Sequence, residues 1–406
     1  MWGWKMWSTN DAVFPCLREL HINNCPELID VSAEALPSLR VLEIAECGDG
    51  VLRSLVRAAS SITKLKMSSI SGLTYEVWRG VMERIGTVEE VLVNIKKLEV
   101  SGCSNLVSLG EKEEEDNFGS NLLSSLRILE VENCRKMERC CCPNNIESLY
   151  INYCRSLTHV SFPTAATGGG GQKLKSLDIQ GCEKLIEKIS SASMPMLESI
   201  DIRDWTNLKS MMQLGNFIYL TDLRLFNCPS LESFPDIQLP VLTRLAIVEC
   251  NSMESLSALQ MKNLSSLKHL RIRYCPSIDA SCHGGVWPPN LCSLEIAGLK
   301  KPMSEWGPQK FPSSLVYLRF DKLESLSMGL QHLTSLQHLY ISNCPKLKHL
   351  PKQLLPSLLS LHIVGCPDLR KGVKEENPTT IPSSLISPKS TFNQIELKEA
   401  SRNRKC

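Results

Sequence analysis

The residues that could do chemistry in this sequence are eighteen cysteines and eight histidines. Zinc sites need such residues in closely spaced pairs, whereas most of these cysteines recur one at a time at a fixed point of a repeated motif. We interpret the recurrent cysteines as small structural side chains inside turns. A metal site or disulfide is the alternative, with Cys140-Cys141-Cys142 as the local cluster where it would form. The recurrent cysteines are Cys25, Cys47, Cys103, Cys134, Cys154, Cys182, Cys228, Cys250, Cys275, Cys344 and Cys366.

No catalytic arrangement is recognisable among the other polar residues. The histidines are scattered, and Cys282-His283-Gly284-Gly285 has no base positioned beside it in the sequence. Neither a nucleophile elbow nor a paired-carboxylate motif occurs. The sequence therefore predicts a protein that is not an enzyme and that uses no metal and no cofactor.

Charge and hydropathy argue against two classes of partner. The chain of 406 residues has 45 Lys plus Arg against 43 Asp plus Glu, a net charge of +2, which is atypical of a nucleic-acid binder. No apolar run is long enough to cross a bilayer, and residues 1–7 contain no apolar block of secretory length. We expect a cytoplasmic protein with no nucleic-acid and no membrane partner.

A repeated motif organises most of the chain. The segment Leu17–Leu28, LRELHINNCPEL, returns almost unchanged as Leu336–Leu347, LQHLYISNCPKL. The second leucine of the motif marks fifteen units, most of them 20 to 25 residues apart. These positions are Leu20, Leu42, Leu65, Leu98, Leu129, Leu149, Leu177, Ile200, Leu223, Leu245, Leu270, Leu294, Leu318, Leu339 and Leu361.

The motif predicts a solenoid. Apolar residues two apart lie on the same side of an extended segment, and the chain then turns at the cysteine. A single unit buries too little apolar surface to offset the entropy of ordering its backbone, so the units must stack and share one core. We expect an α/β solenoid of the leucine-rich-repeat horseshoe type, with a parallel concave sheet, irregular or short helical convex segments and about fifteen repeats.

The interruptions of the repeat define the domain boundaries. We expect a lead-in over residues 1–13, a repeat domain over 14–370, and a poorly ordered tail over 371–406. Insertions fall near 74–94, 110–121 and 163–172. The first contains apolar residues at helical spacing, which predicts a helix over Tyr75–Ile85 packed on the convex side.

The residue between the two strand leucines should face solvent on the concave side. This column is mainly acidic from Glu99 to Asp201 and mainly basic from Arg224 to Arg319, and stacked like charges should repel. We predict a protein-docking face that has arginines for an acidic partner and tyrosines as anchors. A merely solvated face is the alternative. The predicted binding residues are Arg224, Arg244, Arg271, Arg273, Tyr317, Arg319 and Tyr340.

Three stretches of the chain resemble a known family. These are Phe14–Leu28 (FPCLRELHINNCPEL), Leu36–Leu42 (LPSLRVL) and Leu355–Leu369 (LPSLLSLHIVGCPDL). They are similar to the leucine-rich repeats of plant intracellular immune receptors, the coiled-coil nucleotide-binding disease resistance proteins. The recurring Cys-Pro-x-Leu, with Ile as last residue at Cys275, is fairly specific to those repeats. It begins at Cys25, Cys228, Cys275, Cys344 and Cys366.

The resemblance covers about residues 14–369 and implies a recognition role. In that family the repeats recognise a pathogen effector or a guarded host protein and restrain a nucleotide-binding domain. The sequence contains no phosphate-binding Gly-x-x-x-x-Gly-Lys-[Ser/Thr] motif and no preceding coiled coil, so we expect the carboxy-terminal part of a receptor or a truncated decoy. A nucleotide-binding domain would then be a partner supplied in trans.

Two other classes of repeat protein remain as alternatives. A ubiquitin-ligase adaptor of the F-box kind also has cysteine at the turn, but its amino-terminal helical module has no counterpart here. The ectodomain of a plant cell-surface receptor would have Leu-x-Gly-x-Ile-Pro repeats and many glycosylation acceptors. This chain has one such acceptor, Asn263-Leu264-Ser265.

Overall fold

The structure is a computed structural model. It describes most of the repeat region and leaves out parts of the connecting segments. The described residues are 5–8, 14–33, 35–83, 94–110, 125–143, 145–161, 173–185, 196–209, 217–232, 239–254, 263–278, 287–299, 310–321, 330, 332–348, 350 and 356–369. The predicted acidic insertion (beyond Gly110), glycine-rich insertion and carboxy-terminal tail lie outside them.

One parallel sheet of 15 strands runs through the repeats, and its strands are hydrogen-bonded in chain order. Each strand contains one of the predicted second-leucine positions, and those residues pair directly with each other from strand to strand. The fold is therefore a leucine-rich-repeat solenoid with a parallel sheet, as predicted. The strands are β2 (Glu19–Cys25), β4 (Val41–Cys47), β5 (Lys64–Ser68), β6 (Lys97–Ser101), β8 (Ile128–Glu132), β10 (Ser148–Asn152), β12 (Ser176–Gln180), β13 (Ser199–Arg203), β14 (Asp222–Phe226), β15 (Arg244–Val248), β16 (His269–Arg273), β17 (Ser293–Ala297), β18 (Tyr317–Asp321), β19 (His338–Ser342) and β20 (Ser360–Val364).

Two small parallel sheets lie beside the main one. In the first, β1 (Met6–Ser8) pairs with β3 (Asp30–Ser32), so part of the predicted lead-in is bonded to the first repeat. The second joins β7 (Ser108–Leu109), β9 (Arg139–Cys141) and β11 (His159–Ser161) on three consecutive repeats. The sequence analysis predicted neither sheet, because strands of two or three residues are too short to show an alternating pattern.

Two helices occur in the described part of the chain. Helix α2 (Tyr75–Glu83) confirms the predicted helix up to Glu83, and residues 84 and 85 lie outside the described part. Helix α1 (Asp49–Ala58) was not predicted. Its buried side chains, Val51, Leu52, Leu55 and Val56, have the three-to-four spacing of an amphipathic helix, so the signal was present in the sequence.

The core is a continuous column of aliphatic side chains shared by all the repeats. In β15, Leu245 and Ile247 are almost completely buried, and the corresponding Leu223 and Leu225 of β14 lie directly beside them. Burial of these side chains is the main favourable term in folding. Because each leucine contacts the leucines of the neighbouring strands, no repeat has a core of its own.

The recurrent cysteines lie inside turns, as the motif predicts. The Cys275 thiol donates a hydrogen bond to the carbonyl oxygen of Arg273 at 3.3 Å and another to that of Ile247, in the preceding strand, at 3.7 Å. Burial raises the pKa of Cys275 to about 12, so the thiol keeps the proton that it donates. All sixteen cysteines in the described residues are free thiols.

A left-handed residue precedes the cysteine position in most repeats, a feature the sequence analysis missed. Glu249 has a φ of 59°, and its amide donates to the carbonyl oxygen of Arg273 on the next strand at 2.9 Å. Asn227 and Tyr274 have φ angles of 48° and 53° and make the same bond to their next strands. Only glycine adopts the left-handed conformation without cost. These residues nevertheless keep it, because it lets each backbone N–H donate a hydrogen bond to a carbonyl oxygen of the next strand.

The free energy of unfolding of Glu249→Gly should equal that of the wild type or exceed it by up to ~1 kcal/mol. Glycine relieves the left-handed strain in the folded protein, and this gain is partly offset because glycine raises the entropy of the unfolded chain. Glu249→Val should be less stable by ~1 kcal/mol or more, because a β-branched side chain is poorly tolerated at positive φ. Urea unfolding followed by circular dichroism measures both.

Glu254→Gly is the matched control, because Glu254 is exposed and its φ is not positive. That control should lose ~0.5 to 1 kcal/mol. Equal losses for the two glycine variants would show that the turn conformation at Glu249 carries no strain.

Candidate protein-binding site

The solvent-facing side of the main sheet, called the concave face below, displays positions one, three and five of each five-residue strand. In β16 these are His269, Arg271 and Arg273, while Leu270 and Ile272 at positions two and four are buried. The alternation follows from the two-residue period of a strand. The predicted column of residues between the leucines is therefore position three, and it is aligned from strand to strand.

The structure places all seven predicted binding residues on the concave face, between β14 and β19. Four lie at position three: Arg224, Arg271, Arg319 and Tyr340. Arg244 and Tyr317 lie at position one, and Arg273 lies at position five. They span six adjacent strands, and neighbouring strands are ~4.8 Å apart.

A buried carboxylate holds the first pair of arginines. Asp222, at position one of β14, receives hydrogen bonds from Nε and Nη2 of Arg224 at 3.0 and 2.9 Å. Arg244, on the next strand, donates from Nη1 to the same carboxylate at 3.2 Å. Asp222 is buried whereas both guanidinium groups reach solvent, so the negative charge lies beneath the positive ones.

Glu295 holds the second pair in the same way. It lies at position three of β17, between Arg271 on β16 and Arg319 on β18, and it is only 5% exposed. Its carboxylate forms an ion pair with Nε of Arg271 and lies 3.5 Å from Nη1 of Arg319. Removing one partner of a buried ion pair lowers the stability of the fold strongly, because the other charge is left unpaired. Both arginines are therefore held beside Glu295.

A third buried carboxylate extends this arrangement toward the amino terminus. Asp201 receives two hydrogen bonds from Arg203, at 2.8 and 2.7 Å, and lies 3.8 Å from Nη1 of Arg224. The Arg203 guanidinium also lies 5.1 Å from the centre of the Phe226 ring. Arg203 was not among the predicted residues, because it adjoins Asp201 at the end of the half that was read as acidic.

These groups form two adjacent ion-pair networks, one from Arg203 to Arg244 and one from Arg271 to Arg319, which together are called the arginine ladder below. Five guanidinium groups share three buried carboxylates, which leaves a surplus of two positive charges on the exposed layer. The predicted basic half of the face is therefore largely ion-paired. The members are Arg203, Arg224, Arg244, Arg271, Arg319, Asp201, Asp222 and Glu295.

The acidic half of the face differs from the predicted stack of repelling charges. Glu99 lies 2.9 Å from Lys64 and 2.9 Å from Lys97, and Lys97 also lies 2.8 Å from Glu130. Although burial opposes it, these lysines hold the pKa of Glu99 below its ordinary value. The expected repulsion is thus offset at Glu99 by lysines at position one of β5 and β6.

Repulsion does persist further along the same column. Asp178 and Asp201 pair side by side at position three of β12 and β13. Burial and, second, the charge of Asp201 raise the pKa of Asp178 above its ordinary value. The acidic half is therefore compensated at one end and strained at the other.

An aromatic column follows the ladder. The rings of Tyr317 and Tyr340 are 5.3 Å apart between centroids, and Tyr340 stacks on His362 at 4.2 Å with nearly parallel planes. Burial and then the charge of Glu295 raise the pKa of Tyr317 to about 12, so its hydroxyl stays neutral. The two predicted anchors lie next to each other, and His362 extends them by one strand.

Arg273 lies beside the ladder on a tyrosine. Its guanidinium lies 5.2 Å from the centre of the Tyr274 ring, and the Tyr274 hydroxyl donates to Asp321 at 3.2 Å. This bond passes over Gly298, where an added Cβ would lie 2.9 Å from the tyrosine ring. Glycine at 298 thus permits a contact between side chains 47 residues apart.

Within the described residues, no group of three or more His, Cys, Asp or Glu side chains could hold a metal ion. Cys140 and Cys142 of the predicted local cluster are buried free thiols. Among the helices that the structure describes, none has the length and apolar character to cross a bilayer.

Comparison with known proteins finds sequence similarity to plant disease resistance proteins. It is 25% identical over 351 residues to Disease resistance protein RPP4 of Arabidopsis thaliana, which covers 82% of this chain and 29% of that protein. It is 24% identical over 185 residues to TMV resistance protein N of Nicotiana glutinosa, covering 45% of this chain and 14% of the relative. The chain is a leucine-rich-repeat solenoid that is similar in sequence to plant disease resistance proteins.

The chain spans less than a third of the length of these two relatives. No protein-family model matches it. Among solved structures, a leucine-rich-repeat protein of Leptospira interrogans, LIC12759, is 17% identical with a TM-score of 0.47, covering 90% of this chain and 96% of that one. The fold assignment above depends on the strand pairing of this chain and not on that likeness.

Glu295→Gln should destabilise the protein by ~1 to 3 kcal/mol, because it removes the charge that Arg271 and Arg319 share and leaves two guanidinium groups facing each other. The loss should grow at low salt, where their repulsion is less screened. Chemical denaturation at two salt concentrations measures it. Glu254→Gln, at an exposed glutamate outside the sheet, is the control and should change stability by less than ~0.5 kcal/mol.

His269 should titrate with a midpoint below 6.5 in an NMR pH titration of its ring protons. Desolvation by the sheet is the first cause of its lowered pKa, and the positive charges of Arg244 and Lys268 are the next. Arg244→Gln should therefore raise the midpoint while leaving it below 6.5. Arg135→Gln, remote from His269, should not change it; a midpoint insensitive to Arg244 would contradict the placement of that guanidinium.

Proposed function

We propose that this chain is a non-catalytic recognition solenoid of a plant intracellular immune receptor. Its concave face binds a protein, either a pathogen effector or a guarded host protein, in the cytoplasm. The names of the relatives support the immune context, and the leucine-rich-repeat fold is typical of protein-interaction scaffolds. Binding uses no cofactor, and a nucleotide-binding domain is a further partner of the solenoid.

The observation that carries this proposal is the arginine ladder. Its arginine side chains are 25% to 57% exposed on the solvent-facing side of the sheet, and buried carboxylates fix their positions. Arginines held in this way lose little side-chain entropy when they contact a partner. Their surplus positive charge favours an acidic protein surface and speeds its association.

The aromatic column gives the same face an apolar anchor. Tyr317 and Tyr340 lie directly beyond Arg319, so one partner could contact both the ladder and the rings. Tyrosine and arginine are the residue types that dominate binding energy at protein interfaces. The proposed binding region is therefore β14 to β19, with Arg224, Arg244, Arg271, Arg273, Tyr317, Arg319 and Tyr340 as its contact residues.

The proposal is tested by capturing proteins from infected and uninfected leaf extracts on the immobilised chain. Arg271→Glu with Arg273→Glu should abolish recovery of the partner that the wild type captures, because two attractive charges become repulsive. Recovery on the wild type should fall between ~0.05 M and ~0.5 M salt, since exposed charges are screened over that range. Quantitative mass spectrometry of the bound fraction measures both effects.

Arg135→Glu with Lys136→Glu is the matched control, because these exposed residues lie on the turn after β8, away from the concave face. It should capture the same partner as the wild type. A partner that binds the wild type and both double variants equally, or that is insensitive to salt, would contradict the proposal. Circular dichroism of each variant verifies that the sheet is intact.

A further inference from the structure

Exposed apolar side chains gather at one edge of the concave face. The described residues include ten exposed large hydrophobic side chains, and four of them lie on three consecutive repeats. These four, called the apolar rim below, are 39% to 51% exposed. They are Met196, Ile218, Tyr219 and Val241.

The backbone places three rim residues side by side. The amide of Thr243 donates to the carbonyl oxygen of Thr221 at 2.9 Å, and the amide of Thr221 donates to that of Glu198 at 2.8 Å. Val241, Tyr219 and Met196 each lie two residues before one of these bonded positions. They therefore occupy equivalent places on adjacent repeats, ~5 Å apart, and present a continuous apolar strip.

The rim adjoins the arginine ladder on the same repeats. Val241 is three residues before Arg244, and Tyr219 is three residues before Asp222, so these two rim residues lie within ~11 Å of the ladder measured along the backbone. Position three of β15 is Ala246, whose small side chain separates Arg224 from Arg271. The guanidinium groups on either side of Ala246 are thus open to a partner that approaches over the rim.

We propose that the apolar rim and the arginine ladder form one composite docking surface over β13–β16 for an acidic protein segment that also presents an apolar side chain. Its carboxylates pair with Arg224, Arg244 and Arg271, and its apolar side chain packs on Tyr219 and Val241. The surplus charge of the ladder selects acidic residues, and the strip beside it selects the apolar one. This proposal rests on the proposed protein-recognition function and specifies the partner's chemistry.

A protein segment fits this surface better than a lipid bilayer does. The ladder lies on the inner side of a stacked-repeat sheet, where a narrow chain can enter but a flat membrane cannot follow the curvature.

The test selects random dodecapeptides displayed on phage against the wild-type chain and then measures the enriched peptides by fluorescence anisotropy. Enriched peptides should contain an apolar residue near two or more Asp or Glu residues. Tyr219→Ser with Val241→Ser, which alters only exposed rim side chains, should weaken their binding at least ~10-fold. Arg244→Gln should do the same, and Leu359→Ser, at an exposed leucine remote from the rim, should leave affinity unchanged.

Failure to enrich peptides, enriched peptides without acidic residues, or affinity that is unchanged by the rim variant would each overturn the composite surface. Binding of phosphatidylserine vesicles that is lost in the rim and Arg244 variants would assign the surface to a membrane instead. The leaf-extract partner separates the two proposals. If its capture needs Arg271 and Arg273 but not Tyr219 and Val241, the recognition function stands and the composite surface is wrong; if it needs neither pair, both are wrong.

Discussion

Every repeat of this protein depends on its neighbours for both its core and its hydrogen bonds. A strand such as β15 has a buried leucine that packs on those of β14 and β16, and its backbone groups are satisfied only by those two strands. The turn that follows donates its left-handed amide to the next strand as well. Because the same three contacts recur along the sheet, the alignment of one strand determines the alignment of the next.

That alignment is what makes the concave face a site. Buried carboxylates are costly unless they are paired, and here Asp201, Asp222 and Glu295 each pair with guanidinium groups of their own or an adjacent strand. Asp222 and Glu295 can each serve two arginines only because neighbouring strands lie at one fixed spacing. The positions of the charged groups therefore follow from the fixed spacing of the strands. The sheet itself orders the flexible arginine side chains.

The sequence was sufficient to predict what repeats and what alternates. The spacing of Leu245 and Ile247, copied along the chain, predicted the parallel sheet, and the intervening positions predicted which side of it Arg224, Arg271 and Arg319 would occupy. The apolar spacing in α2 was enough to predict a helix. These features depend on local periodicity, which a single chain displays directly.

Contacts between repeats could not be predicted in the same way. That Glu295 would be buried between two arginines, or that Lys64 would reach Glu99 on the next strand, depends on side-chain directions across strands. Arg203 and the apolar rim were not predicted, although position five and the turn residues could have been read as columns of their own. The left-handed turn was hidden because Asn, Glu, Tyr and Gly all occupy it.

The shared carboxylate at Glu295 also bears on how such a face can diversify. Most positions on it, such as Ala246, contact no charged partner that must change with them, and they can vary one at a time without disturbing the leucines beneath. Glu295, Arg271 and Arg319 cannot, since altering any one leaves an unmatched charge on another repeat. Variation at these three sites would have to be correlated, so they form a small block that is inherited together, as do the groups around Asp222.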